Sequence, residues 1–146
     1  MRLFFDEDRG KGVAIALKAV GLQTYYVGPT AGRTTPVAKG TFDDVWIPRA
    51  GAAGWMVITA NKSILTTEHE RELWITHRVG GVFLTTNRLR SIDELALMLR
   101  KLRWLETTDL GERPFAYMLS PNGHTQRAPE IPILHSTGQT EFAIER

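Results

Sequence analysis

An apolar run that breaks into three acidic residues opens the chain, and it constrains the fold more than any other feature. Leu3, Phe4 and Phe5 favour a β-strand. A short continuous apolar run is typical of a strand buried on both faces of a parallel sheet. Acids then follow from Asp6 to Asp8. Ligands of open α/β sheets bind at this end of the strands, so Asp6 is the first candidate functional residue. Acids here can equally end a strand and cap the next helix.

Length and composition narrow the class of protein. A chain of 146 residues with 42% hydrophobic and 23% charged residues predicts one soluble domain with a substantial core. The sequence contains no cysteine, which excludes disulfides and thiolate chemistry. No apolar run is long enough to span a membrane and no leader pattern is present, so we expect a cytoplasmic protein without membrane contact.

Strand and helix patterns alternate along the chain, which predicts an α/β fold with a mainly parallel sheet. A first helix ends at Gly21, and residues 23–27 form the second strand. Residues 54–59 have the strongest pattern for a central strand. Further strands are predicted at 82–84 and 115–119, with a hairpin turn at 121–123.

Three more helices are predicted from their apparent start and stop signals. The first begins near Asp43, is capped by Thr41 or Asp43, and accommodates Pro48 in its first turn. The second covers 67–79, with its apolar face formed by Leu73, Trp74 and His77 and its end at Gly80 and Gly81. The third is one long helix from a capping box at 91–94 to about residue 107. The predicted domain covers 1–128, and residues 129–146 form a tail that is extended, an edge strand or partly disordered.

Charged residues suggest a polyanionic ligand. Between residues 71 and 103 the sequence has seven basic residues against three acids: Arg71, Arg78, Arg88, Arg90, Arg100, Lys101 and Arg103 against Glu72, Asp93 and Glu94. A basic stretch that faces acids at a strand end suits a phosphate polymer whose scission needs a metal. Basic helix faces are also common as plain solvated surfaces.

Taken in order, three sequence blocks carry a resemblance to a known family. Phe4-Phe5-Asp6 ends the first strand, residues 43–48 open a helix with Asp43, and residues 54–65 contain the central strand followed by Asn61. In this order and spacing the chain resembles the PIN-like nuclease superfamily, on the side of the small prokaryotic VapC-type toxins. Later matches at Glu68 and Glu70, at 82–84 and at 114–117 extend the resemblance to about residue 123.

The resemblance implies a three-layer α/β/α fold and RNA cleavage assisted by Mg²⁺ or Mn²⁺, by the toxin of a type II toxin–antitoxin pair. Its catalytic positions correspond to Asp6, Asp43, Asn61 and Glu70, with Glu68 as an alternative to the last. The predicted metal ligands are Asp6, Asp43 and Asp8. Asn61 departs from the family, which usually has aspartate there, and this removes one negative charge from the cluster. An amide oxygen can still coordinate a hard cation.

Physical chemistry agrees with this interpretation. Clustered carboxylates raise one another's pKa and are best stabilised by a divalent ion, and an oxygen-only ligand set favours Mg²⁺ or Mn²⁺ over Zn²⁺. Contacts to the RNA backbone are predicted for Lys11, Arg33 and Lys62. Bases would stack on Tyr25, Tyr26 or Trp46, although the pattern favours Trp46, Trp55 and Trp74 as core residues. The implied partners are the RNA substrate, a cognate antitoxin protein and a second copy of the chain in a homodimer.

Two alternatives remain at this stage. A catalytically weakened PIN-like module that binds RNA or protein is suggested by Asn61. An unrelated phosphoacceptor receiver domain would also suit Asp6 and Asp8 with Mg²⁺. That domain needs an acceptor aspartate at the end of the central strand, where Asn61 stands instead, so it is the weakest of the three hypotheses.

Overall fold

Strands and helices alternate along residues 1–6, 11–134 and 140–142, the part of the chain that the computed structural model describes. In chain order the strands are β1 (Arg2–Phe5), β2 (Gln23–Gly28), β3 (Val37–Ala38), β4 (Met56–Thr59), β5 (Gly80–Leu84), β6 (Phe115–Leu119), β7 (Thr125–Arg127), β8 (Pro132–Leu134) and β9 (Thr140–Phe142). The helices are α1 (Lys11–Ala19), α2 (Asp43–Ala53), α3 (Ser63–Thr66), α4 (Glu68–Thr76), α5 (Ser91–Arg100) and α6 (Leu102–Asp109).

A seven-stranded sheet has the order β3-β2-β1-β4-β5-β6-β7. The first six strands pair in parallel, and β7 joins β6 as an antiparallel hairpin partner. The predicted central strand, β4, lies between β1 and β5, with Phe4 beside Val57. All four residues of β4 are buried, as are the three apolar residues of β1. The prediction that β1 is buried on both faces is confirmed, and β4 is buried in the same way.

Helices cover both faces of the sheet. On one face, side chains such as Ile47, Ile64 and Trp74 from α2, α3 and α4 pack against Phe4 and its neighbours. On the other face, Leu17, Leu97 and Leu105 from α1, α5 and α6 form a second core. Leu3 and Phe5 point to this second core, because side chains alternate along a strand. The predicted three-layer α/β/α fold with a mainly parallel sheet is confirmed.

The start of α2 differs from its prediction. Phe42 is the N-cap residue, and no side chain caps the helix. Thr41 instead donates a hydrogen bond to the Ala38 carbonyl oxygen at 2.6 Å. Pro48 lies inside the helix rather than in its first turn. Trp46, Ile47 and Ala50 are buried as predicted, so the apolar face, rather than a side-chain cap, holds α2 on the sheet.

The segment around Gly80 and Gly81 was predicted wrongly. The helix α4 already ends at Thr76, and Arg78 makes the turn with a φ of 51°. Both glycines belong to β5 and are buried. A Cβ atom on Gly81 would lie 2.8 Å from the Trp74 ring and the Val57 carbonyl oxygen. Glycine is therefore required here by close packing, and not as a helix terminator.

Two other helix predictions need correction. The long helix divides into α5 and α6 at Lys101, whose φ and ψ are −97° and 9°. Arg90 occupies the N-cap position of α5 without a side-chain cap, and its Nε donates to Asp93 Oδ2 at 2.8 Å in place of the predicted capping box.

The four-residue helix α3 was not predicted. The N-cap residue of α4, Thr67, makes no side-chain capping hydrogen bond, and His77 is exposed rather than part of the predicted apolar face.

Beyond the predicted boundary at residue 128, the chain still packs on the domain. Ala128 and Ile131 are fully buried in the core beneath α2, α3 and α4. The strand β8 then pairs with β9 in a separate two-stranded sheet. The predicted turn at 121–123 is confirmed, with Gly123 at a φ of 90°. No helix in the described part of the chain has the length and apolar character to cross a membrane.

Candidate active site

Asp6 lies at the carboxyl edge of the sheet, directly after β1. Its backbone N–H donates to the Ile58 carbonyl oxygen at 3.0 Å, which extends the pairing of β1 with β4 by one residue. The hydroxyl of Thr59 donates to Asp6 Oδ2 at 3.1 Å. Both side chains are buried, with 8% of Asp6 and 3% of Thr59 exposed. The pairing of two parallel strands therefore fixes the orientation of this carboxylate.

Asn61 reaches Asp6 through Thr59. Its backbone N–H donates to the Thr59 hydroxyl at 3.0 Å. Its side-chain oxygen, Oδ1, accepts hydrogen bonds from the backbone N–H and the hydroxyl of Ser63, at 3.2 and 2.5 Å. The amide oxygen thus holds the first turn of α3, and the hydrogen bond to the Asp6 carboxylate comes from Thr59 rather than from the Asn61 side chain. Sequence reasoning missed Thr59 because a strand-terminal threonine fits an ordinary strand pattern.

Asp43 is fixed by the core. As the first residue of α2, it accepts a hydrogen bond at Oδ1 from the indole N–H of Trp46 at 2.7 Å. Trp46 is buried and packs on Phe4, with ring centroids 5.7 Å apart. The same indole, with Lys39 and Thr41, lines a small cavity that also contains Asp6. Trp46 therefore lines the cavity that contains Asp6 and also donates a hydrogen bond to the Asp43 carboxylate.

An open cleft of about 430 Å³ brings Asp43 and Glu70 together. Its lining residues define the acidic cleft: Phe42, Asp43, Asp44, His69 and Glu70. Burial raises the pKa of Glu70, and hydrogen bonding and repulsion with Asp43 raise it further, against a smaller opposing effect of His69. The Oε2 atom of Glu70 is buried and has no hydrogen-bond partner in the described part of the chain. Burial and the neighbouring Asp43 therefore disfavour the ionised form of Glu70.

This donor set suits a hard divalent cation. Carboxylate oxygens are the ligands that Mg²⁺ and Mn²⁺ prefer, and an unpartnered buried carboxylate oxygen is compensated by a cation. Asp43 and Glu70 both supply carboxylate oxygens, and Glu70 Oε2 is the unpartnered one. Within residues 1–6, 11–134 and 140–142, no three histidine or acidic side chains form a group that could hold a metal ion. Asp8, the third predicted ligand, lies outside the described residues.

The predicted RNA contacts fall at separate places on the surface. Lys11 begins α1, Arg33 lies in the loop before β3, and both are exposed. Lys62 lies at the start of α3, and its Nζ donates to the Thr85 carbonyl oxygen at 2.7 Å. The predicted stacking residues are less accessible: Trp46 belongs to the core, and Tyr25 packs against Trp55 at 5.8 Å.

Phe42 is a site residue that the sequence did not reveal. An aromatic residue normally predicts burial, yet 77% of Phe42 is exposed at the acidic cleft. Its backbone is extended and its carbonyl oxygen accepts hydrogen bonds from Val45 and Trp46. The N-terminus of α2 therefore presents an aromatic ring directly beside Asp43.

Comparison with known proteins adds one match. A family model described as PIN like domain matches residues 1–86, more than half of the 146-residue chain. No curated protein and no solved structure matched the chain. The matched region includes β1, α2, β4 and α4, the elements that carry Asp6, Asp43, Thr59 and Glu70. The chain therefore belongs to the PIN-like domain family, whose fold suggests a nuclease-type function in general.

Proposed function

We propose that this protein is an endoribonuclease that depends on Mg²⁺ or Mn²⁺ and acts as the toxin of a type II toxin–antitoxin pair. The observation that carries the proposal is the Asp43–Glu70 pair in the acidic cleft, with one buried carboxylate oxygen left unpartnered. Membership of the PIN-like domain family supports nuclease chemistry in general. The cognate antitoxin, the homodimer and the cytoplasmic location belong to the same proposal and rest on the sequence resemblance.

In this proposal the chain's own residues position an ion and a phosphate. Asp43 and Glu70 would hold the ion, and the Trp46 N–H keeps Asp43 in one orientation. Besides the Asp43–Glu70 pair, Asp6 supplies a further carboxylate at the carboxyl edge of the sheet, and Thr59 orients it. When bound, a divalent ion neutralises phosphate charge and lowers the pKa of a water molecule for attack on phosphorus.

Cleavage of a mixed RNA pool by the purified protein tests the proposal. We expect fragments in the presence of Mn²⁺ or Mg²⁺ and none when EDTA replaces the ion. RNA lacking free ends, in circular form, should also be cut, because the proposed reaction is endonucleolytic. Intact RNA under all of these conditions, from a folded protein, would contradict the nuclease proposal.

Phe42→Ala should weaken the binding of single-stranded RNA by about 1–3 kcal/mol, which is the usual contribution of one base stacked on an aromatic side chain. The reason is the exposed ring of Phe42 at the acidic cleft. Fluorescence anisotropy with labelled RNA measures the change, and Phe42→Trp should retain binding. Leu110→Ala, which removes another highly exposed apolar side chain, is the matched control. Equal affinities of the Phe42→Ala and Leu110→Ala proteins would exclude stacking on Phe42.

Replacing Glu70 with glutamine should stabilise the metal-free protein at neutral pH. Because its pKa is raised, folded Glu70 binds its proton more tightly than the unfolded chain does. The free energy of unfolding is therefore unaffected below the ordinary pKa of 4.5 and falls as the pH rises through the raised value. Glutamine stays neutral, so we expect the variant to have a higher free energy of unfolding than the wild type above this range and the same value below it. Urea unfolding in EDTA across the pH range measures it.

Added Mn²⁺ should make the wild type more stable than the Glu70→Gln protein. A bound ion stabilises the folded state by mass action and needs the Glu70 carboxylate, so the wild type should gain in Tm and the Glu70→Gln protein should not. Glu72→Gln, which alters an exposed acid on the same helix, is the control. If the Glu70→Gln and Glu72→Gln proteins behave alike with and without Mn²⁺, Glu70 is neither a coupled acid nor a ligand.

A second candidate function is a catalytically weakened module that binds RNA or a protein. The observation that favours it is Asn61, a neutral amide whose oxygen is already bonded to Ser63. If Asn61 weakens an otherwise competent site, Asn61→Asp should raise the Mn²⁺ affinity or the cleavage rate roughly tenfold, since one added carboxylate strengthens a hard-cation site. Calorimetric Mn²⁺ titration and the cleavage assay measure this change. No gain in either would place Asn61 outside the ligand shell.

A further inference from the structure

A second groove, of about 320 Å³, lies between α3 and the turn that follows β7. We call it the basic groove, and its lining includes Lys62, Leu65, Met118, Arg127, Pro129 and Glu130. Leu65, Met118 and Pro129 give it a largely apolar surface, while Lys62 and Arg127 supply positive charge. It thus combines an apolar surface with two cations.

Among the described residues, neither cation is paired with a carboxylate. Lys62 Nζ bonds to the Thr85 carbonyl oxygen, which carries no net charge. The Arg127 guanidinium lies over the Tyr117 ring at 5.6 Å, and its NH1 donates to the Tyr117 hydroxyl at 3.4 Å. Within residues 11–134, Lys62 and Arg127 form no salt bridge. Arg127 Nε is buried and has no hydrogen-bond partner in the described part of the chain, so this guanidinium is not fully satisfied by its neighbours.

The basic groove begins at the same strand end as the candidate active site. Lys62 directly follows Asn61, whose backbone bonds to Thr59, and Thr59 bonds to Asp6. The Arg71 guanidinium in turn links the start of α4 to α3 through the Leu65 carbonyl oxygen at 3.1 Å. A short rigid stretch of chain therefore connects the basic groove to the acidic cleft.

We propose that the basic groove is a second subsite for the RNA strand, which holds a nucleotide more than about four positions along the strand from the one at the acidic cleft, beyond the reach of the shortest single-strand ligands. The phosphate lies between Lys62 and Arg127, and the base packs on Leu65, Met118 and Pro129. A nucleotide matches this surface because it joins an anion to a flat, weakly polar ring. This subsite rests on the proposed ribonuclease function.

Binding of uncleavable 2′-O-methyl RNA tests the subsite. Labelled single strands of about 4 and about 16 nucleotides, the range of common single-strand sites, are titrated at several salt concentrations. We expect Arg127→Gln to weaken binding of the long strand roughly tenfold and to reduce the salt slope by about 0.7, while the short strand binds as before. Lys62→Gln provides a second variant at an exposed position. The matched control is Lys18→Ala, an exposed cation in the last turn of α1.

The outcomes separate the subsite from the proposed function. If the long strand binds the wild type and all variants equally, the subsite is refuted while RNA binding stands, and the groove is left to a protein partner. If neither strand binds the wild type, both the subsite and the ribonuclease proposal fail. Loss of long-strand affinity in the Lys18→Ala protein as well would show general electrostatic attraction, which also overturns a localised subsite.

Discussion

Replacement of Asp6 by asparagine should lower the rate of RNA cleavage by at least about 100-fold, the order seen when one preorganised polar group is lost from an active site. Asparagine keeps the size of the side chain and can still accept the hydrogen bond from Thr59. The change therefore removes the negative charge with little effect on packing. Initial cleavage rates in Mn²⁺, together with thermal unfolding of both proteins, measure the effect.

Two further variants identify what Asp6 contributes. Thr59→Val keeps the buried shape and removes the hydroxyl that orients Asp6, so a smaller loss of roughly tenfold is expected. Glu112→Gln removes an exposed negative charge in the loop before β6, at the opposite edge of the sheet, and should cleave at the wild-type rate. Unchanged cleavage by the Asp6→Asn protein would show that Asp6 only ends the strand and takes no part in catalysis.

Trp74→Ala should lower the free energy of unfolding by about 3–5 kcal/mol, the usual cost of deleting a large buried aromatic side chain. Trp74 has no exposed surface, and its indole N–H donates to the Phe115 carbonyl oxygen at 3.1 Å. Its ring packs 5.3 Å from Phe83 and fills the space above Gly81. The variant loses this packing and leaves a buried carbonyl oxygen without its partner. Urea unfolding followed by far-ultraviolet circular dichroism measures the loss.

Trp104→Ala is the matched comparison, because Trp104 is only half-buried and packs edge-on against Tyr117. It should cost clearly less than Trp74→Ala, and Trp74→Phe should fall between the two. A cost for Trp74→Ala no greater than that for Trp104→Ala would show that the packing of α4 does not depend on this ring. Glu70 lies one turn before Trp74 on the same helix, so a loosened α4 should also weaken the Asp43–Glu70 pair.

The fold was largely predictable because its strands are dense in apolar and β-branched residues. The apolar side chains at 3–5 and 56–59 can be removed from water on both faces only inside a sheet that helices cover on both sides. Helix ends were less predictable because capping signals compete with tertiary contacts. Thr41 bonds backward to Ala38, and Asp93 bonds to Arg90. Gly81 suggested a helix end, whereas the real requirement is the distance to Trp74 across the sheet face.

Prediction of the candidate site had a similar limit. The place of Asp6 at the carboxyl edge follows from strand order, which sequence patterns convey. The contact of Asp43 with Glu70 depends on how α2 packs beside α4, which no local pattern encodes. Thr59 and Phe42 were missed because a threonine in a strand and a phenylalanine before a helix have ordinary structural roles. A threonine that ends the strand beside an acid-bearing strand is the signal that would have identified the first of them.

The hydrogen bond between Thr59 and Asp6 also bears on how the protein is synthesised. It joins residues 53 positions apart, and β1 is paired on both sides only after β4 has left the ribosome. The carboxylate of Glu70 becomes available later still. A nascent chain therefore carries Asp6 well before Thr59 and Glu70 can join it at the carboxyl edge of the sheet. Under the proposed ribonuclease function, this order of synthesis keeps the site incomplete until Glu70 has left the ribosome.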